Sequence, residues 1–197
     1  VRPPAALPDA EDVIRTAFIF RTAAAEPVGE SVILNDETVF SNAREPLAQA
    51  FKPAGGEDSS TILAVSNHFK SKGSAPATGE NADTGQGGWN ADRVRQAQAL
   101  AAFADSAAEA AGTEKVFLLG DFNSYAAEDP MTVLAEAGYV NLGKATGKHS
   151  YAFSGMVGSL DHILASPEAA EAVTGADIWN INSVESVALE YSRYNTN

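Results

Sequence analysis

Short apolar runs punctuated by turn residues, with one long amphipathic stretch among them, constrain this chain more than any other feature. Val13–Phe20, Leu47–Phe51, Thr61–Phe69, Lys115–Leu119 and Leu160–Ala165 are apolar or alternating and bounded by turn residues. Runs of that length predict strands, several of them buried on both faces. Asn90–Ala111 follows helical spacing instead. Val94, Ala97, Leu100, Ala101, Ala104 and Ala108 form its apolar stripe, while Asp92, Arg93, Arg95 and Gln96 face elsewhere. Asn90 is placed to cap this helix, Trp89 and Val94 stand at the staple positions, and Gly112 can end it. A second helix is expected with Asp129 as cap and Pro130 at its first position, stopping at Gly138. A short third helix follows Ser166-Pro167 and ends by Gly175. Strands interleaved with helices predict a layered α/β or α+β sandwich.

The 197 residues suit one domain, or two small ones at most. Turn-forming residues cluster at Pro53–Ser60 and more heavily at Lys72–Gly88. Neither cluster separates two credible cores, so residues 1–197 read as a single domain. The second cluster exceeds the ~12–15 residues at which structureless loops become uncommon, which makes it a functional loop or a mobile one. Hydrophobic residues make up 45% of the chain, enough for a core. No apolar run is long enough to be a membrane-spanning helix. Asp and Glu outnumber Lys and Arg by 26 to 13, for a formal charge of −13. That balance excludes tight nucleic-acid binding by charge alone, but not a nuclease that offsets the repulsion with metal ions. The absence of Cys rules out disulfides and thiolate zinc sites. Val1–Ala10 is a Pro/Ala-rich lead-in without the charged and apolar regions of a leader peptide, so the chain is expected to be a mature or excised product.

Three polar stretches sit at predicted strand ends, where loops carry chemistry. In Gly120-Asp121-Phe122-Asn123-Ser124, residues two apart in an extended segment share a face, which would put Asp121 and Asn123 together. A carboxylate beside a carboxamide can bind a hard cation, take a proton from water and orient a phosphate oxygen. The same letters are also ordinary turn chemistry. Asn67-His68-Phe69-Lys70-Ser71-Lys72 delivers a His and two Lys from a strand end into the long loop, as a catalyst or as a structural His. In Gly158-Ser159-Leu160-Asp161-His162-Ile163-Leu164, a carboxylate inside an apolar strand needs a specific partner, which Asp161 is expected to have. His162 points to the opposite face and reads as structural.

Together these stretches resemble the endonuclease/exonuclease/phosphatase superfamily, and within it the large bacterial extracellular nucleases. The resemblance rests on Asn67–Gly73, then Gly85-Gln86-Gly87-Gly88-Trp89-Asn90 leading into Arg93-Val94-Arg95-Gln96-Ala97. It continues through Gly120–Tyr125 with Glu128-Asp129-Pro130, then Ser150-Tyr151-Ala152-Phe153 and Gly158–His162. It implies an α+β four-layer sandwich of the deoxyribonuclease-I-like kind, two β-sheets face to face with helices outside. It also implies metal-dependent cleavage of phosphodiesters in DNA or RNA, with Mg²⁺, Mn²⁺ or Ca²⁺ as the ion, in an extracellular or cell-surface setting. His68 matches the family's His that contacts the scissile phosphate or protonates the leaving oxygen. Asp121 matches the residue that activates water or binds metal, and Asn123 its phosphate- and metal-orienting partner. Asp161 matches the Asp that orients a second active-site His, and Arg44, in Arg44-Glu45-Pro46 before a strand, resembles a phosphate-contacting Arg or reads as a solvated turn Arg.

The family's opening strands, which bring an Asn and a metal-binding Glu, are not recognisable before Ile14, and no closing Ser-Asp-His is present. The resemblance therefore implies part of a catalytic domain. Such a part is expected to be weakly active or inactive alone and to self-associate through uncovered sheet edges. A phosphatase or sphingomyelinase of the same superfamily is an alternative reading, and a non-catalytic binding or structural module another.

Overall fold

The computed structural model describes residues 14–153 and 155–180. Its centre is a six-stranded mixed sheet. In chain order the strands are β1 (Ala25–Ile33), β2 (Arg44–Pro53), β3 (Ile62–His68), β4 (Val116–Asp121), β5 (Val140–Asn141) and β8 (Asp161–Ala165). They lie side by side in the order β1-β2-β3-β4-β8-β5. β3 and β4 run parallel, joined by the long helix α2 (Asn90–Ala111), and the other neighbours are antiparallel. The hairpin of β6 (Tyr151–Phe153) and β7 (Met156–Gly158) forms a separate small sheet.

One face of the large sheet is closed by helices. Ala48, Ala50, Leu63, Val65, Val116, Leu118 and Leu164 meet Ala97, Leu100, Ala104 and Ala108 of α2. Phe40 of α1 (Glu37–Phe40) and Met131 and Leu134 of α3 (Asp129–Glu136) complete that core. α4 (Pro167–Ala172) begins as expected, with the Ser166 side chain accepting the Ala169 N–H. The described residues thus supply an α+β sheet and a helix layer of the four layers expected. No described helix is long and apolar enough to cross a membrane.

Several local expectations need correction. Residues 14–20 form no strand, and Val13 lies outside the described residues. Phe18 and Phe20 instead set their ring edges on Phe51, with centroids 5.6 and 5.1 Å apart, over the sheet's outer face. The first strand is β1, hidden in the sequence by Pro27 and by Gly29, whose φ of +68° marks an irregularity between Val28 and Val32. Helix α2 has the predicted ends, and Gly112 closes it in the left-handed conformation. Trp89, however, takes the capping position, with φ of +64° and no side-chain cap bond, while Asn90 donates from Nδ2 to Asp129 at 2.9 Å. Arg93 and Gln96 do not face elsewhere but are fully buried. Arg93 occupies the stripe position expected of Val94, because its guanidinium meets backbone carbonyls that the irregular loop leaves unpaired. It donates to Gly88 O at 2.7 Å, Gln86 O at 3.1 Å and Lys70 O at 3.3 Å. Gln96 accepts the Lys70 N–H at 2.9 Å. Glu128, rather than Asp129, precedes α3 as its cap residue.

Candidate active site

The site comes from strand register. Arg44 of β2 lies opposite His68 of β3, His68 beside Asp121 of β4, and Asp121 opposite Asp161 of β8. Residues paired across a sheet share a face, so four strands carry these side chains in one row. The row crosses the outer face, away from α2, where β3 and β4 end. His68 Nε2 stands 3.6 Å from Asp121 Oδ2, both side chains about one third exposed. Burial pushes the Asp121 carboxyl up, and the nearby Asp161 charge adds to that, while the Asn123 N–H and His68 oppose it.

Asp121 and Asn123 come together by a different route from the one expected. The strand stops at Asp121, and Asn123 sits at φ +47°, so alternation does not govern the pair. The Asn123 N–H donates to Asp121 Oδ1 at 2.8 Å, closing a side-chain turn. Asn123 Nδ2 then donates to Phe69 O at 2.9 Å, tying the exit of β4 to the exit of β3. Its carboxamide oxygen accepts no hydrogen bond among the described residues. Gly120 is required at the turn: its φ is +136°, and an added Cβ would lie 2.0 Å from Asn67 O.

Asp161 is not buried inside its strand but exposed at its start, which removes the desolvation argument for a partner. It has a partner nevertheless, the Ser150 hydroxyl, which donates to Asp161 Oδ2 at 2.8 Å. His162 is structural as read. It is buried, with Nε2 2.9 Å from Ser124 O and Nδ1 3.0 Å from Asn141 Nδ2, and burial holds its pKa below the usual value. A cavity of about 420 Å³ opens beside Asp161 and His162, lined also by Asn141, Lys144, Ser150 and Ile178.

Sequence reasoning placed Lys72 and Glu128 in two separate motifs but missed that their side chains meet, at 2.5 Å. Nothing in their spacing signals the pair. Lys72–Gly88 carries no helix or strand, in keeping with a long loop. Lys72, Gln86 and Arg93 fasten that loop over the start of α2.

Among the described residues, no three His, Asp or Glu side chains gather in a metal-binding group. The donor set at Asp121 and Asn123 nonetheless suits a hard cation. Mg²⁺ takes one or two carboxylates and completes its shell with water and substrate oxygens.

Residues 8–184 match the model of the Endonuclease/Exonuclease/phosphatase family. No curated protein sequence matches the chain. Among solved structures, the human Nocturnin catalytic domain with bound sulfate anion superposes with TM-score 0.52 at 18% identity, covering 73% of this chain and 49% of that one. An endonuclease/exonuclease/phosphatase from Bacteroides vulgatus gives 0.52 at 18%, covering 75% and 57%. Humanized D. rerio TDP2 gives 0.51 at 15%, covering 74% and 54%. The chain therefore spans about half the length of these solved proteins and shares their fold. With the family match over most of its length, the chain belongs to the endonuclease/exonuclease/phosphatase family of phosphoester hydrolases.

Proposed function

We propose that this chain supplies the core of a metal-dependent phosphodiesterase acting on nucleic acid. The observation that carries the reading is the single row of Arg44, His68, Asp121 and Asp161 across four strands, with Asn123 folded against Asp121. Arg44 and His68 would hold the non-bridging oxygens, or His68 Nε2 would protonate the leaving oxygen. Asp121 Oδ1 is taken by the Asn123 N–H, which leaves Oδ2 to orient or deprotonate water. Asp121 and the Asn123 carboxamide oxygen would hold Mg²⁺ or Mn²⁺. Such an ion supplies Lewis-acid polarisation of the phosphoryl oxygen and offsets the acidic charge of the chain. Asp161, which accepts the Ser150 hydroxyl, would orient a second active-site His.

The cavity beside Asp161 has the volume of a ligand pocket and room for a group flanking the scissile phosphate. Lys144 lines it with Lys148, Asp161 and Asp177, and would meet a further phosphate of a phosphodiester substrate. Mn²⁺ titration followed by NMR tests the metal assignment. Paramagnetic broadening should centre on Asp121 and Asn123 and disappear in Asp121→Ala. Broadening spread over the acidic surface and unchanged in the variant would favour a non-catalytic module instead.

A further inference from the structure

We infer that Lys72 and Glu128 are positioning residues, a clamp that aims the Asn123 carboxamide at the row. The inference rests on the reading of Asn123 as a phosphate- and metal-orienting group. Beyond the Phe69 N–H on Asp121 O and the Phe69–Phe122 ring contact, polar side chains join the exits of β3 and β4 at two places. The first is Asn123 Nδ2 on Phe69 O at 2.9 Å. The second lies three residues further along one exit and five along the other. There Lys72 Nζ donates to both Glu128 carboxylate oxygens, at 2.6 and 2.5 Å, and to Gln86 O at 2.6 Å.

Glu128 uses the same carboxylate on its own loop. Its Oε2 accepts the Tyr125 N–H at 3.0 Å, while its backbone N–H donates to Tyr125 O at 2.9 Å. Those reciprocal bonds close the turn from Tyr125 to Glu128, and Lys72 Nζ sits 5.1 Å from the Tyr125 ring centroid. The segment 123–128 is thus held at both ends, with Asn123 at one and Glu128 at the other.

Both side chains are largely withdrawn from solvent, 23% and 13% exposed. Removing Lys72 leaves the Glu128 carboxylate poorly solvated, with the Arg93 guanidinium and the Tyr125 N–H as its remaining partners, so the segment should loosen. With Lys72 gone, the Asn123 backbone stays on Asp121 Oδ1 and Asp129 stays on Gln86 and Asn90, but the Asn123 carboxamide keeps only its bond to Phe69 O and can turn about it. An orienting carboxamide tolerates little such freedom, because misplacement by about an ångström can cost around 10²-fold in rate.

The experiment compares Lys72→Met, Lys72→Arg and Glu128→Gln with the parent protein by two readouts. One is kcat and KM for Mg²⁺-dependent plasmid nicking. The other is the ¹⁵N–¹H signal pair of the Asn123 side chain, which needs no activity. Lys72→Met should lower kcat at least about tenfold with KM within roughly threefold, and should move or broaden the Asn123 signals. Lys72→Arg should restore both. Glu128→Gln keeps the shape and one acceptor, so an intermediate loss is expected if Lys72→Met folds poorly. Unmoved Asn123 signals in Lys72→Met and Glu128→Gln overturn the inference, as does a rise in KM alone. A longer protein that adds the family's metal-binding Glu and closing Ser-Asp-His yet cleaves nothing with Mg²⁺ refutes the phosphodiesterase reading, while the Asn123 signals still decide the clamp.

Discussion

The two faces of the central sheet are built from the same strands and do opposite work. On the helix-covered face Leu63, Val65, Leu118 and Leu164 are all at 2% exposure or less, closed by α2. On the outer face Ile163 is 46% exposed, and the row from Arg44 to Asp161 ends in half-exposed polar groups. Alternation along a strand assigns neighbouring residues to these two environments, so Leu118 stabilises the fold while Asp121, three residues on, stands in the row. If the row is the reacting centre, stability and activity are separable by mutation.

The strongest test of that separation is Leu118→Ala. Burying an empty volume under α2 should cost about 2–5 kcal/mol in chemical denaturation. A loss under about 1 kcal/mol would mean that the core is looser than its burial implies. On the other face, Asp121→Ala should leave the denaturation midpoint near that of the parent protein. In a longer protein that adds the family's Glu and Ser-Asp-His, it should remove more than about nine tenths of metal-dependent nicking, a loss above ~1.4 kcal/mol in the barrier. If a tenth or more of the activity survived, the row would not be the reacting centre.

The buried His162, on the face opposite Asp161, gives a pH-dependent effect. Burial holds its folded pKa below the unfolded 6.5, so below that pH the unfolded chain binds more protons than the folded one. Its contribution is present in full above pH 6.5 and is lost as the pH falls through and below that value. Denaturation at pH 7.5 and 5.5 should show parent protein losing more stability on acidification than His162→Gln; equal losses would place the acid sensitivity elsewhere. The smallest effect is expected at Ile163→Thr on the exposed face, within about 0.5 kcal/mol. A larger loss on dilution-sensitive unfolding would show that this face is covered by another copy, the self-association expected from its uncovered apolar side chains.

Local rules reach far in this chain where a signal is repeated or chemically unambiguous. α2 ends where its spacing and Gly112 place it, because each turn repeats the same preference and a left-handed cap suits Gly. β3, β4 and β8 lie within a residue or two of the predicted runs, and His68, Asp121 and Asn123 stand at strand ends as expected. β1 escapes because Pro27 and Gly29 weaken a strand signal that pairing with β2 restores. Other features depend on partners far along the chain. Arg93 is buried because loop carbonyls from Lys70, Gln86 and Gly88 converge on it, and Lys72 finds Glu128 across 56 residues. The row itself is decided by register: four residues from four separate segments align only when β2, β3, β4 and β8 pair in that order. The sequence by itself determined which side chains could do the chemistry and which elements would carry them. Tertiary structure alone decided that they meet, because hydrogen-bond register is a property of paired strands and not of any one of them.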